Sequence, residues 1–126
     1  MATRSFIGIL NADETITGVY CHFDGYPDGV GKKLVEHYSD RAKAAELIAL
    51  GSLSSLGSRL APEPGEAHSF REPAPGVTVA YGRDGGESVV TKRYVSIPHM
   101  QANVYKDFHA EYAYVINHRG EWIVHR

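Results

Sequence analysis

The residues of this chain best suited to chemistry lie together in Tyr20-Cys21-His22-Phe23-Asp24-Gly25-Tyr26-Pro27-Asp28-Gly29-Val30-Gly31-Lys32-Lys33. Gly25, Gly29 and Gly31 followed by Lys32 and Lys33, set between a strand-like run and a helical run, resemble a phosphate cradle. Glycines let backbone N–H groups approach an anion, a helix start adds partial positive charge, and lysine adds a full one. A P-loop needs four residues between its first glycine and the Gly-Lys pair, then Ser or Thr. Here five residues separate Gly25 from Gly31, and Lys33 stands where the hydroxyl belongs. The spacing therefore excludes P-loop hydrolysis and leaves two readings: a looser anion site, or a glycine turn without a ligand.

His22, Asp24 and Tyr26 alternate, so an extended backbone puts all three on one face. A carboxylate beside an imidazole favours its protonated form and suits general acid–base work. Asp24 has plainer alternatives, capping the loop or pairing with Arg4. Tyr26 and Phe23 offer rings for stacking. Arg83, in Arg83-Asp84-Gly85-Gly86-Glu87, is a further cation for a phosphate or carboxylate, unless that segment is only a hairpin turn. The candidate ligand-binding residues are thus His22, Phe23, Asp24, Gly25, Tyr26, Gly29, Gly31, Lys32, Lys33 and Arg83. Cys21 neighbours His22 but points to the opposite face of a strand, which argues for a buried, inert thiol rather than a Cys-His pair. The seven histidines show no ligand spacing, so neither a metal nor a cofactor is expected.

These residues need a frame. Thr3 to Leu10 reads as a buried strand, Asn11-Ala12-Asp13-Glu14 as a turn and Thr15 to Phe23 as a second strand, together an antiparallel hairpin. On the second strand Ile16, Gly18, Tyr20 and His22 share one face; Thr17, Val19, Cys21 and Phe23 share the other. From Pro27 or Asp28 the pattern turns helical, with Val30, Leu34, Val35 and Tyr38 on one side. Ser39-Asp40 caps a second helix over 41–50, and Gly51 ends it. The pair has a helix-turn-helix outline but no arginine-rich recognition helix, so DNA binding is not expected.

Ser52 to Gly57 reads as a helical turn or packed loop. Ala61 to Gly76, with Pro62, Pro64, Pro73 and Pro75, reads as a long irregular loop. Val77 to Tyr81 and Ser88 to Ile97 are strand-like, the latter an edge candidate because of Lys92-Arg93. Pro98 breaks it, and 103–109 suits one short helix. Glu111 to Asn117 and Glu121 to His125 close the chain as strands, with Trp122 and Val124 on one face. The sum is one α+β domain: a mainly antiparallel sheet of about five or six strands with two helices inserted after the second.

The bulk numbers agree with a small globular protein. The 126 residues carry 43% hydrophobic and 22% charged residues and a net charge of −2, which gives no general attraction to nucleic acid or anionic membrane. The single cysteine excludes an internal disulfide and suits a reducing compartment. The apolar run ending at Leu10 is too short for a signal core or a membrane span. A soluble, cytoplasmic protein is expected.

Across most of its length the chain resembles a family of small proteins carried by bacteriophages and prophages. The resemblance rests on Thr3-Arg4-Ser5, on Tyr20 through Pro27 with Gly29 and Gly31, and on Leu34 and His37-Tyr38. It continues through Leu47-Ile48-Ala49-Leu50-Gly51, Leu53-Ser54-Ser55-Leu56, Val77 to Tyr81 and Glu121-Trp122. The family usually carries Trp at the place of Phe23, and a second arginine in the turn where this chain has Gly85 or Gly86. The resemblance implies an accessory protein acting in the host cell cytoplasm and brings no activity with it. The expectation is a non-enzymatic binder, a counter-defence protein that sequesters a nucleotide-like signal or blocks a host defence protein. Its rivals are a small enzyme using His22 and Asp24, and a homo-oligomeric interaction module.

Overall fold

The computed structural model describes residues 2–126. Among them are seven strands: β1 (Ser5–Leu10), β2 (Ile16–Cys21), β3 (Leu53–Ser55), β4 (Val79–Ala80), β5 (Lys92–Tyr94), β6 (Tyr112–Ile116) and β7 (Trp122–His125). A π-helical turn over Pro27–Gly31 runs directly into α1 (Lys32–His37); α2 (Arg41–Ala49) and α3 (Ile97–Phe108) complete the helices.

The hairpin β1–β2 is the centre of the sheet, paired from Ser5↔Cys21 to Leu10↔Ile16. Its turn is stitched by side chains: the Asn11 amide donates to Thr15 Oγ1 (3.1 Å) and Thr17 Oγ1 (2.9 Å), and Asp13 accepts from the Thr15 hydroxyl (2.6 Å). Gly8 lies opposite Gly18, and the reason is the ring of Phe6. A Cβ on Gly18 would come within 2.4 Å of that ring, so the absent side chain is what lets the ring lie on the sheet.

The sheet runs β4-β3-β2-β1-β6-β7, with β5 also on β2. It is the expected α+β architecture with mostly antiparallel pairing, but the sheet is mixed: β1–β6 and β2–β3 are parallel. Helical segments cause this. The chain leaves β2, passes through α1 and α2, and re-enters at the same end as β3, which only a long crossover permits. One face packs Ile7, Val19 and Cys21 under Leu34, Tyr38 and Leu47 of the first two helices. The other packs Phe6, Ile16 and Val115 under Met100 and Val104 of α3.

That third helix corrects the reading of 88–109 as a long strand, a break and a short helix. Ser96 caps α3, its hydroxyl accepting from the His99 N–H at 3.1 Å, and Pro98 occupies the first turn, where its missing N–H costs nothing. The strand contracts to Lys92–Tyr94. The segment 52–57, expected to be a turn or loop, contains β3, which Cys21 recruits by parallel pairing with Leu53. The proline-rich loop folds on itself, with the Arg59 guanidinium donating to both Glu66 carboxylate oxygens (2.8 and 3.0 Å) and the Ala74 N–H donating to His68 Nδ1 (2.9 Å). No helix among the described residues is long and apolar enough to cross a membrane.

Because the Phe6 ring fills the space above Gly18, Gly18→Ala overpacks the core. It should lower the unfolding free energy by about 1–3 kcal/mol, read as a lower urea midpoint at unchanged slope.

Candidate functional site

The loop after β2 is shaped by main-chain contacts. The His22 and Phe23 N–H groups donate to Leu53 O and Ser54 O, both at 3.0 Å, carrying the parallel ladder past Cys21. Asp24 then turns left-handed (φ +57°) and ends the extended run. The Gly25 N–H donates to Thr3 O (2.8 Å), and the Tyr114 hydroxyl donates to Gly25 O (2.7 Å). A Cβ on Gly25 would lie 2.7 Å from Thr3 O, and one on Gly29 would lie 2.3 Å from Asp24 O. Both glycines are required by close chain approach.

The expected anion cradle does not form. The Gly29 N–H donates to Tyr26 O (2.9 Å) and the Val30 N–H to Asp24 O (2.8 Å), so with Gly25 three loop donors are spent on protein carbonyls. Lys33 is spent as well, its ammonium donating to Leu56 O at 3.1 Å. Lys32 differs: its N–H donates to Gly29 O and Pro27 O, but the side chain is exposed and its ammonium makes no hydrogen bond or ion pair among the described residues.

His22 and Asp24 do not form an acid–base pair either, because the left-handed residue breaks the alternation that would align them. His22 Nδ1 meets the Tyr20 hydroxyl, which also accepts from Arg4 Nε (3.1 Å), and the Phe23 ring packs edge-on against the imidazole with centroids 4.5 Å apart. Asp24 instead accepts from the Tyr26 hydroxyl at 3.2 Å, which raises the Tyr26 phenol above its ordinary value. Arg4 is thereby engaged by Tyr20 and not by Asp24. Cys21 is fully buried, as expected, and burial pushes its thiol up to about 12.

Arg83 is remote in its contacts from this loop. Its guanidinium donates to Thr78 O (2.7 Å), Leu60 O (2.8 Å) and Asp84 Oδ1 (2.9 Å), and so holds a turn rather than offering a ligand site. Asp84 beside it is only 4% exposed in its side chain and lies 3.2 Å from His68 Nε2. Burial favours its neutral form, but Arg83, the Ala80 N–H (2.8 Å) and His68 outweigh that and hold the carboxyl below the ordinary aspartate value.

The concave feature next to the loop is a groove between α1 and the β6–β7 end of the sheet, about 440 Å³ in volume. Pro27, Gly31, Lys32 and Val35 form one wall, and Tyr114, Trp122 and Val124 the other, with Glu36 at the rim. The polar atoms of both aromatics are tied into the fold: Tyr114 donates to Gly25 O, and Trp122 Nε1 donates to Tyr38 O at 3.0 Å. Tyr114 is itself buried and backs the groove, and Trp122, half-buried, is the aromatic partly open to it. Of the residues singled out in the sequence, Gly31 and Lys32 line it; His22, Phe23 and Arg83 do not. Tyr114 and Trp122 escape a sequence reading because parallel pairing of β1 with β6, a long-range event, brings β6 and β7 beside the loop; Val35, expected on one side with Leu34 and Tyr38, is instead exposed on α1. The alternation of Trp122 and Val124 was the available signal, and it marks a face without naming its neighbour.

Among the described residues no group of three His, Cys, Asp or Glu side chains is placed to hold a metal ion. No protein-family model, no curated protein and no solved structure matches the chain.

Two outcomes follow from these environments. Cys21 should resist a thiol reagent in the native protein and react at once in denaturant, since both burial and its raised pKa suppress the thiolate. For Asp84, whose folded pKa is depressed, the stabilisation is present above the unfolded value of about 4 and vanishes as pH falls through the folded one. Asp84→Asn should thus be destabilised at pH 7, with the deficit shrinking on acidification below about pH 4, as measured by thermal unfolding across pH.

Proposed function

We propose that this protein is a non-enzymatic binder that holds a flat, ring-bearing anion, nucleotide-like in character, in the groove between α1 and β7. The observation that carries the reading is a partly exposed indole, Trp122, beside a lysine with an uncommitted ammonium, Lys32, in one cleft of about 440 Å³ backed by the buried Tyr114. Cavities of this size and apolar character suit small ligands. Rings stack on aromatic faces whose polar atoms are already satisfied, and a lysine at the rim supplies the charge for a phosphate or carboxylate. The cation role expected of the glycine loop passes to Lys32 alone.

Binding without turnover is favoured because His22 and Asp24 are each engaged by a different tyrosine and neither lines the groove. With the resemblance to bacteriophage proteins, this supports a counter-defence role in the host cytoplasm, in which a nucleotide-like signal is sequestered rather than destroyed.

Trp122 is the only tryptophan of the chain, so its fluorescence reports on the groove directly. Titration with a panel of mono-, di- and cyclic nucleotides should quench it with saturation. Lys32→Glu should weaken binding roughly tenfold, equivalent to about 1.4 kcal/mol, and Trp122→Ala, followed by calorimetry, should remove about 1–3 kcal/mol of stacking. Arg83→Ala should leave affinity unchanged while lowering stability. Absence of quenching by any of them, together with no small molecule released on denaturing protein purified from its host, would overturn the reading in favour of a protein partner.

A further inference from the structure

β7 is the outer strand on its side of the sheet, and its edge is open. Native edge strands are normally guarded by an inward charge, a proline, a bulge or extreme shortness. The opposite edge obeys this rule: β4 is two residues long, and both are buried. β7 does not. Ile123 and Val124 are 43% and 42% exposed, and the strand contains no proline and no lysine.

The direction of its free backbone groups follows from the pairing with β6. The Asn117 N–H donates to Glu121 O at 2.9 Å, so Glu121 faces β6. Alternation then turns Ile123 and His125 toward β6 as well, and leaves the N–H and C=O groups of Trp122 and Val124 pointing outward. The side chains alternate the other way. Trp122 and Val124 share the α1 face with Ile116 and Tyr114, while Ile123 and His125 share the α3 face with Val115 and Ala113.

We propose that two copies of this chain pair edge to edge through β7, antiparallel, about a two-fold axis at Ile123. This register is self-complementary. Ile123 meets the partner's Ile123, Trp122 meets the partner's Val124, and Glu121 meets the partner's His125, an acid against an imidazole. Four main-chain hydrogen bonds form, from Trp122 and Val124 of each copy. The neighbouring symmetric register, centred on Val124, sets Trp122 against the partner's Arg126 and Ile123 against the partner's His125, apolar against polar at each flanking position. It would also draw Arg126 from the Tyr112 ring, over which its guanidinium lies at 5.2 Å. A two-fold axis makes each favourable contact twice, which is why matching within one short strand suffices to choose the partner.

The pairing does not require the groove to hold a ligand. It does place the partner's Val124 about 5 Å from Trp122 across the ladder, so the two grooves open beside each other on one face of a continuous sheet.

The register is testable by a single cysteine. Facing residues at the axis form a non-hydrogen-bonded pair with Cα atoms about 4.5 Å apart, within reach of a disulfide. Two Val124 residues are offset along the strands and lie beyond that reach. Ile123→Cys should give a disulfide-linked dimer under mild oxidation on a non-reducing gel, whereas Val124→Cys should stay monomeric; native Cys21 is buried and does not compete. The wild-type protein should show concentration-dependent dimer in sedimentation velocity, and Ile123→Lys, which sets two like charges face to face, should lose it. A wild type that sediments as monomer at every concentration overturns the proposal, as does equal or faster linking of Val124→Cys. Neither readout involves nucleotide, so a failed dimer and a failed ligand remain distinguishable.

Discussion

The two-sided main-chain clamp at Gly25 sets the position of everything around the groove. Its N–H is held by Thr3 at the start of the hairpin, and its carbonyl by the Tyr114 hydroxyl on the neighbouring parallel strand. The first contact needs the chain to pass closer than a side chain allows. Once the clamp is made, the left-handed Asp24 and the π-helical turn place α1 over the sheet. Tyr114 becomes at once a fastener and a wall of the groove. A hydroxyl used inside the fold cannot also read a ligand, so among the described residues the groove is left with the half-buried Trp122 ring, a valine pair and one cation, Lys32.

The same economy of donors decides the character of the whole loop. Buried N–H groups must find acceptors, and here the nearest acceptors are the loop's own carbonyls. Gly29 and Val30 donate back to Tyr26 and Asp24, which closes the turn and removes the donors an anion would need. Lys33 reaches a carbonyl across the domain, at Leu56. The segment with the densest supply of reactive side chains is thus mainly a structural joint, and the groove lies at its flank.

Tyr38 plays a comparable part at the other end of α1. Its buried hydroxyl donates to Gly57 O (2.7 Å) and its carbonyl accepts from Trp122 Nε1, tying β3, α1 and β7 together. Trp122 is therefore fixed in orientation before any ligand or partner arrives. An indole locked by its own N–H offers a flat surface at little entropic cost. The edge beyond it has exposed apolar side chains and unsatisfied main-chain groups together, the two features by which sheets extend between molecules.

Local patterns in the sequence were enough to determine the hairpin with its two faces, the caps of α2, the burial of Cys21 and the α+β class. Each depends on neighbours two to five residues apart, where alternation, helical spacing and capping residues act directly. The mixed sheet, the third helix and β3 depended on tertiary structure. Pro98 reads as a breaker unless Ser96 is known to cap a helix there, and Leu53 becomes a strand only because Cys21 lies beside it. The site followed the same division. The loop's supply of chemically suited residues was legible, because residue types are local. Which lysine stays free, which aromatic faces the cleft and which carboxylate meets which hydroxyl were settled by one left-handed residue and by strands brought together from opposite ends of the chain. Such long-range pairing leaves no period in the sequence to read.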